Sequence, residues 1–222
     1  MDSLQDLAAE VIACRACPRL VAWREQVAVE RRAAYRDQKY WGRAVPGFGD
    51  PNASILIVGL APAAHGANRT GRVFTGDRSG DFLFGSLFRV GLANQAEALA
   101  VDDGLQLRGV YVTAAVRCAP PANKPTPKER DTCRPYLERE LALLDRMTVV
   151  VALGQFGYQV ACSVLGVRPR PAFGHGVVVE APADRSIVCS YHPSQQNTFT
   201  GRLTPAMLDE VFLSAKDLAG LG

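Results

Sequence analysis

Four cysteines constrain this chain more than any other residues do. Cys14 and Cys17 form a close pair near the N-terminus, while Cys118 and Cys133 lie far downstream. A C-x-x-C supplies only half of a four-coordinate site, so a metal held here would tie the N-terminal segment to the body of the fold. Thiolate quartets suit Zn²⁺ or an iron–sulfur cluster, each of which takes four sulfur ligands. The spacing is unlike the compact double C-x-x-C of a zinc ribbon and unlike the tight run of a bacterial ferredoxin. A plainer alternative is four unconnected buried thiols. Cys162 and Cys189 stand among apolar neighbours and read as core thiols.

With 222 residues the chain fits one domain of moderate size, and its 48% hydrophobic content is ordinary for a globular protein. The formal net charge of +3 is mild and would fall to about +1 if four thiolates held a cluster core of about +2. Any electrostatic footprint for nucleic acid must therefore be local. No apolar run reaches the roughly 18 residues of a membrane span. The opening MDSLQDLAAEVIAC carries acidic residues and no basic region, unlike a signal peptide. Six cysteines in such a chain point to a reducing, cytoplasmic compartment.

Leu4, Leu7, Ala8, Val11 and Ile12 recur at helical spacing and predict a short helix that delivers Cys14 and Cys17. Residues 20–45 mix arginines with Tyr35, Tyr40 and Trp41. Four apolar runs then read as buried parallel strands: Ser54–Gly59, Gly109–Val116, Thr148–Leu153 and Ser186–Ser190. Gly176–Val179 looks like an extra strand or hairpin arm. Helices are expected at Asp81–Val90, Pro127–Arg146, Tyr158–Leu165 and from Thr204 to about Ala219. Thr126, Pro127 and Glu129 form a capping box at the start of the second of these. The expectation is a single-domain α/β/α sandwich around a mainly parallel four-stranded sheet.

Ligands of such sheets bind beyond the carboxyl ends of the strands. There the sequence sets its Gly/Pro-rich and polar segments: Gly59-Leu60-Ala61-Pro62 with the AAHGANRTGR and FTGD stretches, then Cys118 to Pro125, Leu153 to Phe156, and Tyr191-His192-Pro193-Ser194. The cysteine quartet, GLAP, FTGD and the closing HPS together resemble the iron–sulfur branch of the uracil-DNA glycosylase superfamily. The AAHGANRTGR stretch, with Ala where other branches carry a polar or acidic residue, resembles the type called family 5. The likeness spans about residues 10–205.

That resemblance implies an enzyme of base excision repair that flips a deaminated base out of DNA and hydrolyses its N-glycosidic bond. It implies a structural 4Fe-4S cluster on Cys14, Cys17, Cys118 and Cys133. Asp77, His192 and Asn123 take the catalytic positions: Asp77 to position water or stabilise the cationic sugar, His192 to hydrogen-bond the leaving base. Phe74 would stack on the base, and Asn123 and Asn197 would read its edge. Gly59, Ala61, Pro62 and His65 complete the expected substrate pocket. Asp77 competes with a plainer role as helix N-cap, in which Ser79 is its rival. Ala within Thr113-Ala114-Ala115, where the sister branch has an Asn, implies a pocket that also takes hypoxanthine or oxidised and etheno-modified pyrimidines. Arg69, Arg72, Arg78 and the 31–43 stretch would contact DNA, with Phe199 wedged into the duplex; the resulting binding should be steeply salt-dependent. Nothing in the sequence demands more than a monomer. A rival of another class is a non-catalytic nucleic-acid-binding module with structural zinc, and a third is an electron-transfer protein.

Overall fold

The computed structural model describes residues 2–222. Helix α1 (Leu4–Ala13) is capped by Ser3, and Cys14 ends it. Cys17 precedes α2 (Pro18–Glu30), whose first residue is a proline that lacks the amide a helix start leaves unpaired anyway. The chain then forms β1 (Phe48–Gly49), β2 (Ile55–Gly59), α3 (Ala67–Thr70), α4 (Arg78–Arg89) and β3 (Val110–Ala114). It continues through α5 (Pro127–Leu143), β4 (Val149–Leu153), α6 (Gly154–Leu165), β5 (Val178–Ala181), β6 (Arg185–Ser190), α7 (Gln195–Phe199) and α8 (Pro205–Leu218).

The sheet has six strands in the order β1-β3-β2-β4-β6-β5, not the expected four. The four expected strands form its parallel centre, and antiparallel β1 and β5 are added at the edges. β1 is too short to leave a period in the sequence. β5 starts two residues later than Gly176 because the turn at Gly176 and Val177 bonds to Cys189 before regular pairing begins.

Every residue of β2, β3 and β4 is buried, as expected where helices cover both faces of a parallel sheet. Alternation divides them. Ile55, Ile57, Val112 and Val151 pack with Phe84 of α4 and Phe212 of α8 on one face. Leu56, Val58, Val150 and Ile187 pack with Leu137 of α5 and Ala161 of α6 on the other. Phe84 and Phe212 are completely buried, so truncating either to Ala removes about 3–5 kcal/mol. A third cluster joins Leu7, Val11 and Leu20 of the N-terminal helices to Val116 and Cys118 after β3.

Two helix starts fall earlier than hydrophobic spacing indicated. α4 begins at Arg78 because Asp77 caps it, and α6 begins at Gly154 directly off β4. The capping box at Thr126 and Glu129 forms as expected. β2 connects to β3 on one side while β4 connects to β6 on the other, so the topological switch lies between β2 and β4. The strand-end segments gather at that edge.

Candidate active site

A two-chambered cavity opens there. The outer chamber, about 570 Å³, is bordered by Ala61, Asp77, Arg78, Asn123, His192 and Gln196 among others. The inner pocket shares Ala61, Asp77 and His192 and adds Phe74, Val73 and Ala114. Segments after β2, β3 and β6 thus meet at one place.

Asp77 serves both readings open to it. Its Oδ1 accepts from the Ser79 and Gly80 amides at 2.9 and 3.0 Å, the N-cap of α4. Its carboxylate also borders both chambers. Burial raises its pKa, against the lowering effect of the two amides. A Cβ on Gly66 would overlap Oδ2, and one on Gly80 would overlap the Phe74 carbonyl. Only glycine at both positions lets the AAHG turn and the first turn of α4 close around the carboxylate.

Phe74 holds φ +53°, the left-handed region that a bulky side chain enters only under constraint. Its ring lies over Gly59, where a Cβ would collide with it, so Gly59 acts on the pocket through Phe74. Ala122 and Asn123 hold φ +53° and +55° in the 3₁₀ turn Pro121–Asn123. Of the six non-glycine residues with positive φ among the described residues, Phe74 and Asn123 border this cavity and Ala122 precedes Asn123 directly, each with strain of order 1–3 kcal/mol.

His192 faces Phe74 with ring centroids 5.9 Å apart. Burial pushes its pKa down to about 4, so the imidazole is neutral near pH 7. Its carbonyl accepts from Asn197 Nδ2 at 2.9 Å. Asn197 is thus turned onto the HPS backbone and is not among the residues bordering the cavity, contrary to its expected place at the base edge. Pro62 and His65 do not border it either. His65 Nδ1 instead pairs with the Tyr40 hydroxyl at 3.1 Å. Ser194, Gln195 and Gln196 do border the cavity. Ser194 belongs to the expected HPS element; Gln195 and Gln196 are not among the residues expected in the pocket, although their position immediately after HPS is the available signal.

Two of the four expected DNA contacts are committed inside the protein. Arg72 is buried and pairs with Asp103 at 2.6 Å. Despite desolvation, that guanidinium and three backbone amides bring the Asp103 carboxyl down to about 2. Arg69 spans His65 O at 2.8 Å, Gly76 O at 2.6 Å and Gln38 at 2.6 Å, which ties the AAHG turn to FTGD. Arg78 and Phe199 remain at the surface together, guanidinium over ring at 5.3 Å, with Phe199 67% exposed.

The four cysteines meet in a separate place past the same carboxyl end of β3, where Val116 to Cys118 continue the chain. They border one small cavity together with Leu20, Val116 and Tyr136. Cys118 and Cys133 are buried, Cys14 and Cys17 partly so. Burial pushes the Cys118 thiol up to about 11 and Cys133 to about 12. Donors nevertheless point at the sulfurs: Arg24 Nη1 lies 2.9 Å from Cys118 Sγ and the Arg117 amide 3.2 Å from Cys133 Sγ. Arg117 is itself fixed by a fully buried pair with Glu140, Nη1 to Oε1 2.8 Å, braced by Thr113. Among the described residues, no three His, Cys, Asp or Glu side chains gather in single-ion geometry. None of the described helices is long and apolar enough to cross a membrane.

The family model described as the uracil DNA glycosylase superfamily matches residues 46–216. A Type-5 uracil-DNA glycosylase of Mycobacterium tuberculosis is 56% identical over 99% of this chain and 83% of its own length. One from Thermus thermophilus is 55% identical over 94% of this chain and 95% of its own. A Type-4 uracil-DNA glycosylase of Archaeoglobus fulgidus is 31% identical over 72% of this chain and 63% of its own. Family match, near full-length likeness and the strand-end cavity agree: the chain belongs to the uracil-DNA glycosylase superfamily.

Proposed function

We propose that this protein is a monofunctional DNA glycosylase that excises uracil and other deaminated or damaged bases from DNA, working as a monomer in the cytoplasm. The observation that carries the reading is the inner pocket, where a carboxylate, a neutral imidazole and an aromatic face border one space at the strand ends. A base inside a duplex is out of reach, so it must be flipped into such a pocket.

Hydrolysis breaks the bond between C1′ of the sugar and the base nitrogen. The base departs with the electron pair and the sugar gains oxocarbenium character. Asp77, ionised, stabilises that positive charge and orients the water that adds to C1′. The water's proton leaves through Asp77 or solvent and the departing base takes up one, so charge balances. His192, neutral, donates a hydrogen bond to a base carbonyl as negative charge builds there. Phe74 stacks on the base. Asn123, on its strained turn, closes the pocket mouth. Ala114 contributes only a methyl group to the wall, which supports a pocket tolerant of bases besides uracil. Arg78 and Phe199 are the surface pair suited to phosphate contact and to filling the vacated stack.

The cysteine centre fits a 4Fe-4S cluster. Four sulfurs border a single cavity, and Arg24 brings a buried guanidinium against them with its Nε unpartnered. A cluster takes one cysteine per iron and does not need the tight convergence that one tetrahedral zinc, with Zn–S about 2.3 Å, imposes. When bound it is a structural tie and supplies no step of the hydrolysis. The shared core of the N-terminal helices and Val116 supports one domain throughout.

Incubation with a labelled duplex holding one uracil, followed by alkali, tests the reading. Strand scission at the uracil is expected; none above an undamaged control would defeat it. Iron content and a brown colour test the cluster.

A further inference from the structure

Arg24 lies in the middle of α2 with 1% of its surface exposed. Its Nη1 reaches Cys118 Sγ at 2.9 Å and its Nη2 the Cys14 carbonyl at 3.0 Å. Nε has no partner, and among the described residues no carboxylate lies within ion-pair distance; the neighbouring Glu25 pairs with Arg15 instead. Burying a full positive charge without an anion costs several kcal/mol. Every other deeply buried arginine here has its acid: Arg117 has Glu140, and Arg72 has Asp103. Among these three, Arg24 alone has a sulfur in place of a carboxylate as its side-chain partner. Four neutral thiols would leave its charge uncompensated, whereas thiolates would not.

We propose that Arg24 is the internal counter-cation of the cysteine centre, neutralising part of the negative charge that four thiolates and their cluster carry. The inference rests on the cluster reading above. Four thiolates around a core of about +2 leave a net charge near −2, which one guanidinium roughly halves. Reduction of the cluster adds one more negative charge, so a fixed cation 2.9 Å from a ligand sulfur favours the reduced form. Arg24 also joins the centre to the active-site side of the fold, since its carbonyl accepts from Asn68 Nδ2 at 3.1 Å in the turn after His65.

The test compares anaerobically purified parent, Arg24→Gln and Arg24→Lys by iron content, circular dichroism, reduction midpoint and rate of iron release to a chelator. With native secondary structure retained, Arg24→Gln is expected to shift the midpoint to more negative potential. Its iron release should be on the order of tenfold faster, the value of one charge-assisted hydrogen bond to a buried anion. Arg24→Lys, which keeps the charge but loses the fork, should return the midpoint most of the way to the parent. Equal midpoints and release rates in parent and Arg24→Gln would overturn the proposal. If Arg24→Gln retains no cluster, Arg24→Lys decides: cluster retention supports a charge role, and loss as complete as in Arg24→Gln overturns it. A colourless, zinc-loaded parent would instead sink the cluster reading. The counter-cation role would then be read from zinc release to a chromophoric chelator, where unchanged rates in Arg24→Gln would overturn it.

Discussion

The two sites beyond the carboxyl end of β3 solve opposite problems. At the cysteine centre, backbone and side-chain donors are spent on holding sulfur and its neighbours: Arg24 on Cys118, the Arg117 amide on Cys133, and the Arg117 guanidinium on Glu140. Two ion pairs from Arg139 to Asp2 and Glu10 dock the N-terminal helix onto α5. Around the cavity, by contrast, left-handed non-glycine residues cluster, a carboxylate is partly desolvated and a histidine is kept neutral. One region is arranged for persistence and the other stores strain and perturbed protonation, as sites of chemistry do. Arg19 connects them: its guanidinium grips Glu129 at 2.7 Å and the carbonyl of Lys124, next to Asn123.

The sharpest way to break this division is Asp77→Asn. Asn caps helices about as well as Asp, so the α4 cap and the melting temperature should be nearly unchanged. Loss of the charge should cut single-turnover excision by about 10²–10⁴-fold. Full activity in Asp77→Asn would reduce Asp77 to a cap. Next in size is Gly66→Ala, whose Cβ would push the carboxylate out of place. An activity loss of about 10²-fold with substrate affinity largely kept is expected, because a small misplacement of a reacting group suffices. His192→Ala should cost about 10²-fold, like other losses of a donor to a developing anion.

The pH profile follows from the same two groups. Asp77 must be ionised, and its pKa is raised above the ordinary aspartate value of 3.8. Activity should therefore fall as pH drops through a midpoint above that value. His192 gains a proton only near pH 4, so it adds no inflection between pH 6 and 8. An inflection in that window which disappears in His192→Ala would show that the imidazole titrates during the reaction. On the other side of the comparison, Cys133→Ala should lose iron and melt earlier. Its cleavage rate while folded should fall by less than about tenfold, since the cavity bordered by Cys133 shares no residue with the active-site cavity.

Much of this was legible in the sequence, for physical reasons that differ between residues. The four central strands could be read because strands buried on both faces are continuous apolar runs, and the α5 start because Thr126, Pro127 and Glu129 fix it locally. Asp77 and His192 could be read from motifs at strand ends. What escaped depended on long-range partners. The fate of Arg72 is set by Asp103 and that of Arg24 by Cys118, and neither distance along the chain nor composition betrays them. Asn197 looked like a base reader because its amide has the right chemistry. Only the five-residue turn back to His192 O reveals that the amide is already used. Edge strand β1 escaped because two residues carry no periodicity.

The smallest expected effect separates arginines that look alike in sequence. Arg78 is exposed beside Phe199 at the cavity mouth, whereas Arg72 is buried in its pair with Asp103. If Arg78 contacts a phosphate, Arg78→Ala should lower the slope of log K against log salt by about one and leave stability within about 0.5 kcal/mol. Arg72→Ala should do the reverse, because it leaves the Asp103 carboxylate without its cation and costs about 3 kcal/mol while the salt slope stays put. Fluorescence anisotropy of a uracil-containing duplex at several salt concentrations, paired with thermal melts, measures both. An unchanged slope in Arg78→Ala together with a reduced one in Arg72→Ala would mean that the buried pair opens when DNA binds, and the division between holding and contacting arginines would fail.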